Sequence, residues 1–232
     1  TFDFVRRELG VPEGALEVIA ETPFDFESQA LLVVPERMPD PREPGFIDSA
    51  VDIFRQVLEA CDGRTLGLFT SYRNLNAVYD RVVGGKHRVL RQGDLPRAEL
   101  TRLFKEDVGS VLLGTESFWT GIDVPGEALT GLVIDKLPFP PPDDPVIDAI
   151  CERDPRAFDN YLVPLAIIAL RQGVGRLIRC KTDVGVAVIL DKRIAEKGYG
   201  KKFLKSLPPM LTTRRLENIT RFLEEAAYAR AS

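Results

Sequence analysis

Arg176 and Arg179, three residues apart in QGVGRLIR (172–179), are the side chains best suited to chemistry in this 232-residue chain. A planar guanidinium can grip phosphate oxygens bidentately. At the end of a helical stretch the pair is expected to project from one helix face. So placed, it could neutralise charge developing on a transferred γ-phosphoryl group. Ordinary surface charge is the competing reading. Gly173 and Gly175 count against it, because a glycine inside a helix costs about 1 kcal/mol relative to alanine and close backbone approach is the better account of two.

A second group lies in GTESFWTGIDVPGE (114–127). Thr115, Glu116 and Ser117 come at the end of an apolar run, with Gly121 and Asp123 in a loop beyond it. Hydroxyls and backbone N–H groups there could hold a nucleic-acid phosphate, and the Asp123 carboxylate could accept from a ribose hydroxyl. Turn and cap roles for the same residues stay open, and Trp119 reads as core packing ahead of base stacking. In LFTSYRNL (68–75), Ser71 and Tyr72 end a strand and open a helix, so Ser71 reads equally as an N-cap.

These groups need elements to bring them together. Short apolar runs at 29–34, 65–71, 110–115, 129–135 and 184–191 read as buried strands, with a weaker one at 87–92. The last long run, 184–191, is expected to close the sheet. Helical spacing falls between them: from Ile47 toward Gly63, through Leu75, Val78 and Val82, after Pro96, from about Ala157 to Arg179, and in the tail at 194–206 and 213–230. Residues 35–45 and 138–145 are rich in proline and read as loops; residues 1–28 read as irregular. Alternating strands and helices without in/out alternation predict a doubly wound α/β domain with a mainly parallel sheet and helices on both faces. Ligands of such sheets bind beyond the carboxyl ends of the strands, where the residues above cluster.

Composition narrows the classes. Hydrophobic residues make up 44% and charged residues 28%, the balance of a chain that can build a core. A net charge of −4 gives no global attraction to nucleic acid, so such contact needs a local patch. Residues 191–215 hold eight Lys/Arg against Asp191 and Glu196; a solvated surface is the plain reading of that run. Cys61, Cys151 and Cys180 are far apart, and His87 is alone, so neither a metal nor a His-based triad is expected. No apolar run would span a bilayer and no signal-peptide pattern opens the chain, so a cytoplasmic protein without membrane contact is expected.

The order of the three groups resembles motifs IV, V and VI of superfamily 2 helicases, and in detail the DinG/XPD-like branch. LFTSYRNL is similar to motif IV, GTESFWTGIDVPGE to motif V and QGVGRLIR to motif VI. The stretches 22–35, 133–145 (VIDKLPFPPPDDP), 186–193 (VAVILDKR) and 199–208 support the match, which extends over nearly the whole chain. The resemblance implies that residues 1–232 are one RecA-like domain, the second of two motor lobes. Residues 1–28 would be its irregular lead-in and residues 209–232 a C-terminal helical tail. Arg176 and Arg179 would be arginine fingers reaching ATP held by the first lobe, with Gln172, Gly121 and Asp123 at the nucleotide edge. Ser71, Tyr72, Thr115 and Glu116 would line a single-stranded DNA track.

A phosphate-binding loop, G-x-x-x-x-G-K-[ST], is absent. Gly85-Lys86 is followed by His87 with Asp80 at the first glycine position, and Gly200-Lys201 by Lys202 with Ala195 there. No acidic D-E-x-H box follows a strand either. ATP and Mg²⁺ are therefore expected to be held mainly by a first motor domain outside this sequence, and any iron–sulfur cluster of the family would lie there too. The chain is expected to be part of a longer protein and not to hydrolyse ATP alone. The alternative is a non-catalytic RecA-like module that binds single-stranded nucleic acid or a partner through 191–215. A self-contained transferase finds no nucleophile beside a base.

Overall fold

The computed structural model describes residues 2–19, 22–119, 129–141 and 143–231. In chain order its elements are α1 (Asp3–Leu9), α2 (Phe26–Gln29), β1 (Ala30–Val33), α3 (Phe46–Ala60), β2 (Thr65–Leu68), α4 (Tyr72–Val82), β3 (Val89–Arg91), α5 (Arg97–Glu106), β4 (Val111–Gly114) and α6 (Glu116–Trp119). There follow β5 (Gly131–Ile134), α7 (Pro145–Arg153), a π-helical turn (Phe158–Leu162), α8 (Val163–Val174), β6 (Gly185–Ile189), α9 (Arg193–Glu196), α10 (Gly200–Ser206), β7 (Leu211–Thr213) and α11 (Asn218–Ala231). The strands form one sheet in the order β3-β4-β2-β5-β6-β1-β7, and every pairing is parallel. This is the RecA-like α/β architecture expected from the sequence.

Burial of the sheet on both faces explains the unbroken apolar runs. Alternate side chains along a strand point to opposite faces. Leu32, Leu66, Leu112 and Leu132 enter one layer with Leu100, Phe104, Leu170 and Phe203. Leu31, Val111, Val133 and Val186 enter the other with Phe54, Val57, Leu75 and Val78. Parallel strands need crossovers, and helices on the two faces supply them while covering the apolar layers.

Several boundaries differ from the sequence reading. Residues 1–28 are not irregular throughout: α1 lies there, ended by Gly10 in the left-handed region at φ 62°, as does most of α2. The proline-rich loop runs into α7, which the sequence reading lacked; Asp144 caps it, accepting from Val146 N–H at 2.8 Å, with Pro145 at the first helical position.

The stretch 157–179 is not one helix. Pro164 has no N–H to continue the i to i−4 ladder, and the chain widens into the π-helical turn just before it. Helix α8 then stops at Val174. Arg176 and Arg179 therefore lie beyond its end, not on one helix face. Nor does 184–191 close the sheet: β6 sits between β5 and β1. The expected helical tail from 209 begins instead with β7, which pairs with β1 at the edge, and its helix starts at Asn218 rather than 213.

Candidate nucleotide and nucleic-acid interface

Beyond the carboxyl ends of β2, β3 and β4, three residues meet. Ser71 precedes α4 in extended conformation and accepts from Asn74 N–H at 3.3 Å, so it is an N-cap. Tyr72 opens α4 and is half exposed. Its hydroxyl accepts from Gln92 Nε2 at 2.5 Å. The other end of the same amide, Oε1, accepts from Thr115 N–H at 2.6 Å and from Thr115 Oγ at 3.1 Å. Thr115 is buried just past β4, and its carbonyl accepts from Phe118 N–H at 2.7 Å, which starts α6. Glu116 is the first residue of α6. Tyr72 and Thr115, singled out separately in the sequence, are thus brought together by Gln92, which was not. A polar residue closing a strand candidate at 87–92 was the only signal for it.

Asp135 stands where β5 ends, 2% exposed. It accepts from Thr70 N–H at 2.8 Å and from Asn74 Nδ2 at 2.9 Å, tying the β2–α4 turn to β5. Burial penalises its anion and pushes the carboxyl up to about 6, although hydrogen bonds from Asn74 and Thr70 and the Lys136 charge pull the other way.

The arginine segment is organised around Trp119, the last residue of α6. The indole is buried in the core, as its type suggested, and donates from Nε1 to the Phe69 carbonyl at 3.2 Å. Arg176 is 7% exposed and donates to the Trp119 carbonyl from Nε at 3.1 Å and Nη2 at 2.6 Å. Gly173 explains the fit. A Cβ there would lie 3.1 Å from two carbons of the Trp119 ring, so α8 approaches the indole closely. Gly175, in contrast, caps α8 with ordinary helical angles. Arg179 follows on the same segment, half-buried. Its backbone N–H and that of Cys180 donate to Asp183 Oδ2 at 2.7 and 2.8 Å. Gln29 Nε2 holds the same turn through the carbonyls of Cys180, Lys181 and Asp183. Gln172 is exposed on the last turn of α8. Gly121 and Asp123 lie outside the described residues.

A second feature escaped the sequence reading. A cleft of about 310 Å³ opens beyond β1, β5 and β6, with Arg42, Thr70, Lys136, Phe139, Pro140 and Arg193 among its walls. Arg193 is held by buried Asp191, Nε to Oδ1 at 2.8 Å and Nη2 to Oδ2 at 2.6 Å. Phe139 stacks on Phe158 with centroids 5.7 Å apart, and Tyr199 meets both edge-on. Phe158 is 43% exposed. The run KLPFPPPDDP carried Lys136 and Phe139 in plain view, but nothing in sequence spacing joins them to Arg193.

Among the described residues no cluster of His, Cys, Asp and Glu could hold a metal ion. Among them, too, no helix is long and apolar enough to cross a membrane.

Comparison with known proteins agrees with the fold. The model of the helicase C-terminal domain family matches residues 54–210. The chain is 39% identical over 231 residues to the ATP-dependent DNA helicase YoaA of Haemophilus influenzae, covering 97% of this chain and 36% of that protein. It is 36% identical over 220 residues to the ATP-dependent helicase DinG of Mycobacterium tuberculosis, covering 90% of this chain and 32% of that one. The chain thus spans about a third of the length of these curated relatives. A solved XPD helicase superposes with a TM-score of 0.60 at 22% identity, over 80% of this chain and 35% of that one, which is a likeness of fold.

Proposed function

The chain belongs to the helicase C-terminal domain family, and on that premise we propose that it is the second RecA-like motor lobe of an ATP-dependent DNA helicase of the DinG/XPD kind. Arg176 and Arg179 meet phosphate oxygens as arginine fingers when the two lobes close. Gln172, Gly121 and Asp123 border the nucleotide. Ser71, Tyr72, Thr115 and Glu116 line the single-stranded DNA track. ATP and Mg²⁺ are held mainly by the first lobe; bound ATP supplies the phosphoryl group whose transfer drives the motor. The chain's own groups fit that division, since it offers arginines but no phosphate-binding loop.

The observation that carries this reading is the position of α6. That single helical turn follows Thr115, which Gln92 joins to Tyr72, and ends at Trp119, whose carbonyl holds Arg176. A shift of one strand-contacting residue is thereby passed to the arginine segment over four residues. Opening and closing of the lobes would use that link in both directions.

The strand path continues, in this reading, over Thr70 into the cleft of Arg42, Lys136 and Arg193. Positive charge follows the phosphates there, and beside it the exposed ring of Phe158, stacked on the cleft wall's Phe139, can take a base. In this reading the protein works at the bacterial nucleoid, in DNA repair or replication.

Unwinding of a labelled duplex with a 5′ single-stranded overhang tests the reading. The intact protein is expected to separate it with ATP, and the isolated chain neither to separate it nor to turn over ATP. Binding of single strands without ATP turnover by the intact protein would favour a non-catalytic module instead.

A further inference from the structure

We propose that Gln92 is a positioning residue that locks the single-stranded nucleic-acid track by joining Tyr72 to Thr115. The proposal rests on reading those two residues as strand contacts.

Gln92 is the first residue past β3, the edge strand bonded to β4 alone. Its backbone N–H continues the ladder to the Leu113 carbonyl at 2.9 Å, so the origin of its side chain is fixed. The amide has a defined orientation, because the Thr115 backbone N–H can only donate. Oε1 must therefore face Thr115, which leaves Nε2 to donate to the Tyr72 hydroxyl. One side chain thus satisfies a buried donor at the β4–α6 turn and holds an exposed ring at the start of α4.

Without this link the Tyr72 ring is free to change rotamer and must be ordered each time a strand binds, which weakens binding. Thr115 N–H also loses its acceptor at a position where the residue is 7% exposed, so Thr115 is held less firmly against a bound strand. Gln92 touches neither the arginine segment nor the basic cleft among the contacts described, so its effect belongs to strand affinity.

Binding of a fluorescein-labelled oligo(dT) to the intact protein, with ATP turnover titrated against the same strand, tests the proposal. Gln92→Ala is expected to raise the half-saturating strand concentration about tenfold, the equivalent of one or two hydrogen bonds. The loss is expected in strand affinity rather than in maximal turnover. Gln92→Met fills the same space with neither hydrogen bond, and is expected to bind as weakly as Gln92→Ala. On a Tyr72→Phe background, Gln92→Ala is expected to cost less than it does alone.

If Gln92→Met binds like wild type while Tyr72→Ala and Thr115→Ala each weaken binding, the tether is wrong and the track reading stands. If none of the three weakens binding, the track reading falls and the tether with it. A loss confined to melting temperature and maximal turnover marks a purely structural glutamine and also overturns the proposal.

Discussion

Arg176 reaches past the end of α8 to the backbone carbonyl of Trp119, 2.6 Å from Nη2 and 3.1 Å from Nε. The contact binds the arginine segment to α6 and fixes the plane of the guanidinium; in the proposed reading it does so before a phosphate arrives. Preorganisation of this kind matters because a fixed donor needs no rearrangement when charge develops.

Gly173→Ala tests how closely α8 and Trp119 approach. Helix propensity alone predicts a gain of up to about 1 kcal/mol. The added Cβ would sit 3.1 Å from the ring, however, and the ring is buried and held by its bond to the Phe69 carbonyl. Overpacking of a core that cannot yield costs about 1–3 kcal/mol. Denaturant unfolding is therefore expected to show net destabilisation; stabilisation would mean the indole moves freely.

Asp135 gives the fold a pH dependence of known sign. Its carboxyl is pushed up to about 6 from an ordinary 3.8, so folding favours the protonated form. That contribution is present in full below about pH 4 and is lost as pH rises through 6, to a total of about 3 kcal/mol. Asp135→Asn does not titrate. The stability of wild type relative to Asp135→Asn is therefore expected to fall between pH 4 and pH 7, read by denaturant unfolding at each pH. A constant difference across that window contradicts the assignment.

The basic cleft is expected to bind single strands by two separable terms. Phe158→Ala removes a stacking surface worth about 1–3 kcal/mol per base, and should weaken oligo(dT) binding about equally at all salt concentrations. Lys136→Ala removes one phosphate contact, and should flatten the plot of log affinity against log salt by about 0.7. Fluorescence anisotropy over a salt series reads both. Equal affinity in both variants would remove the cleft from the strand path.

The sheet was legible because its strands are buried on both faces: Leu66, Leu112 and Leu132 belong to unbroken apolar runs that only a covered parallel sheet accommodates. The cap at Ser71 was legible for a local reason, a hydroxyl before a helical pattern. Asp144-Pro145 carried an equally local signal for α7, hidden by the prolines before it. The end of α8 carried a local signal, Gly175 as its C-cap with Arg171 in the last turn, but it was masked because Arg176, Leu177 and Ile178 beyond it all suit a helix. Strand β7 is three residues long and takes its pairing from β1.

Gln92 was beyond reach because its partners lie 20 and 23 residues away. Arg193 belonged to a run read as solvated surface. That reading suits exposed Lys197, Lys201 and Lys205, whereas Asp191, fully buried, fixes Arg193 at the cleft.

In the proposed function this lobe completes an ATPase together with a first motor lobe. ATP turnover by the intact protein, with and without single-stranded DNA, compared between wild type and Arg176→Ala, tests it most directly. DNA-stimulated turnover is expected in wild type, with a fall in kcat of about 10³-fold or more in the variant, the scale of a lost arginine finger. Arg179→Ala, which leaves the Trp119 contact in place, is expected to lower kcat as well and guards against a folding artefact. Undiminished kcat in both variants would mean that neither arginine serves the transferred phosphoryl group.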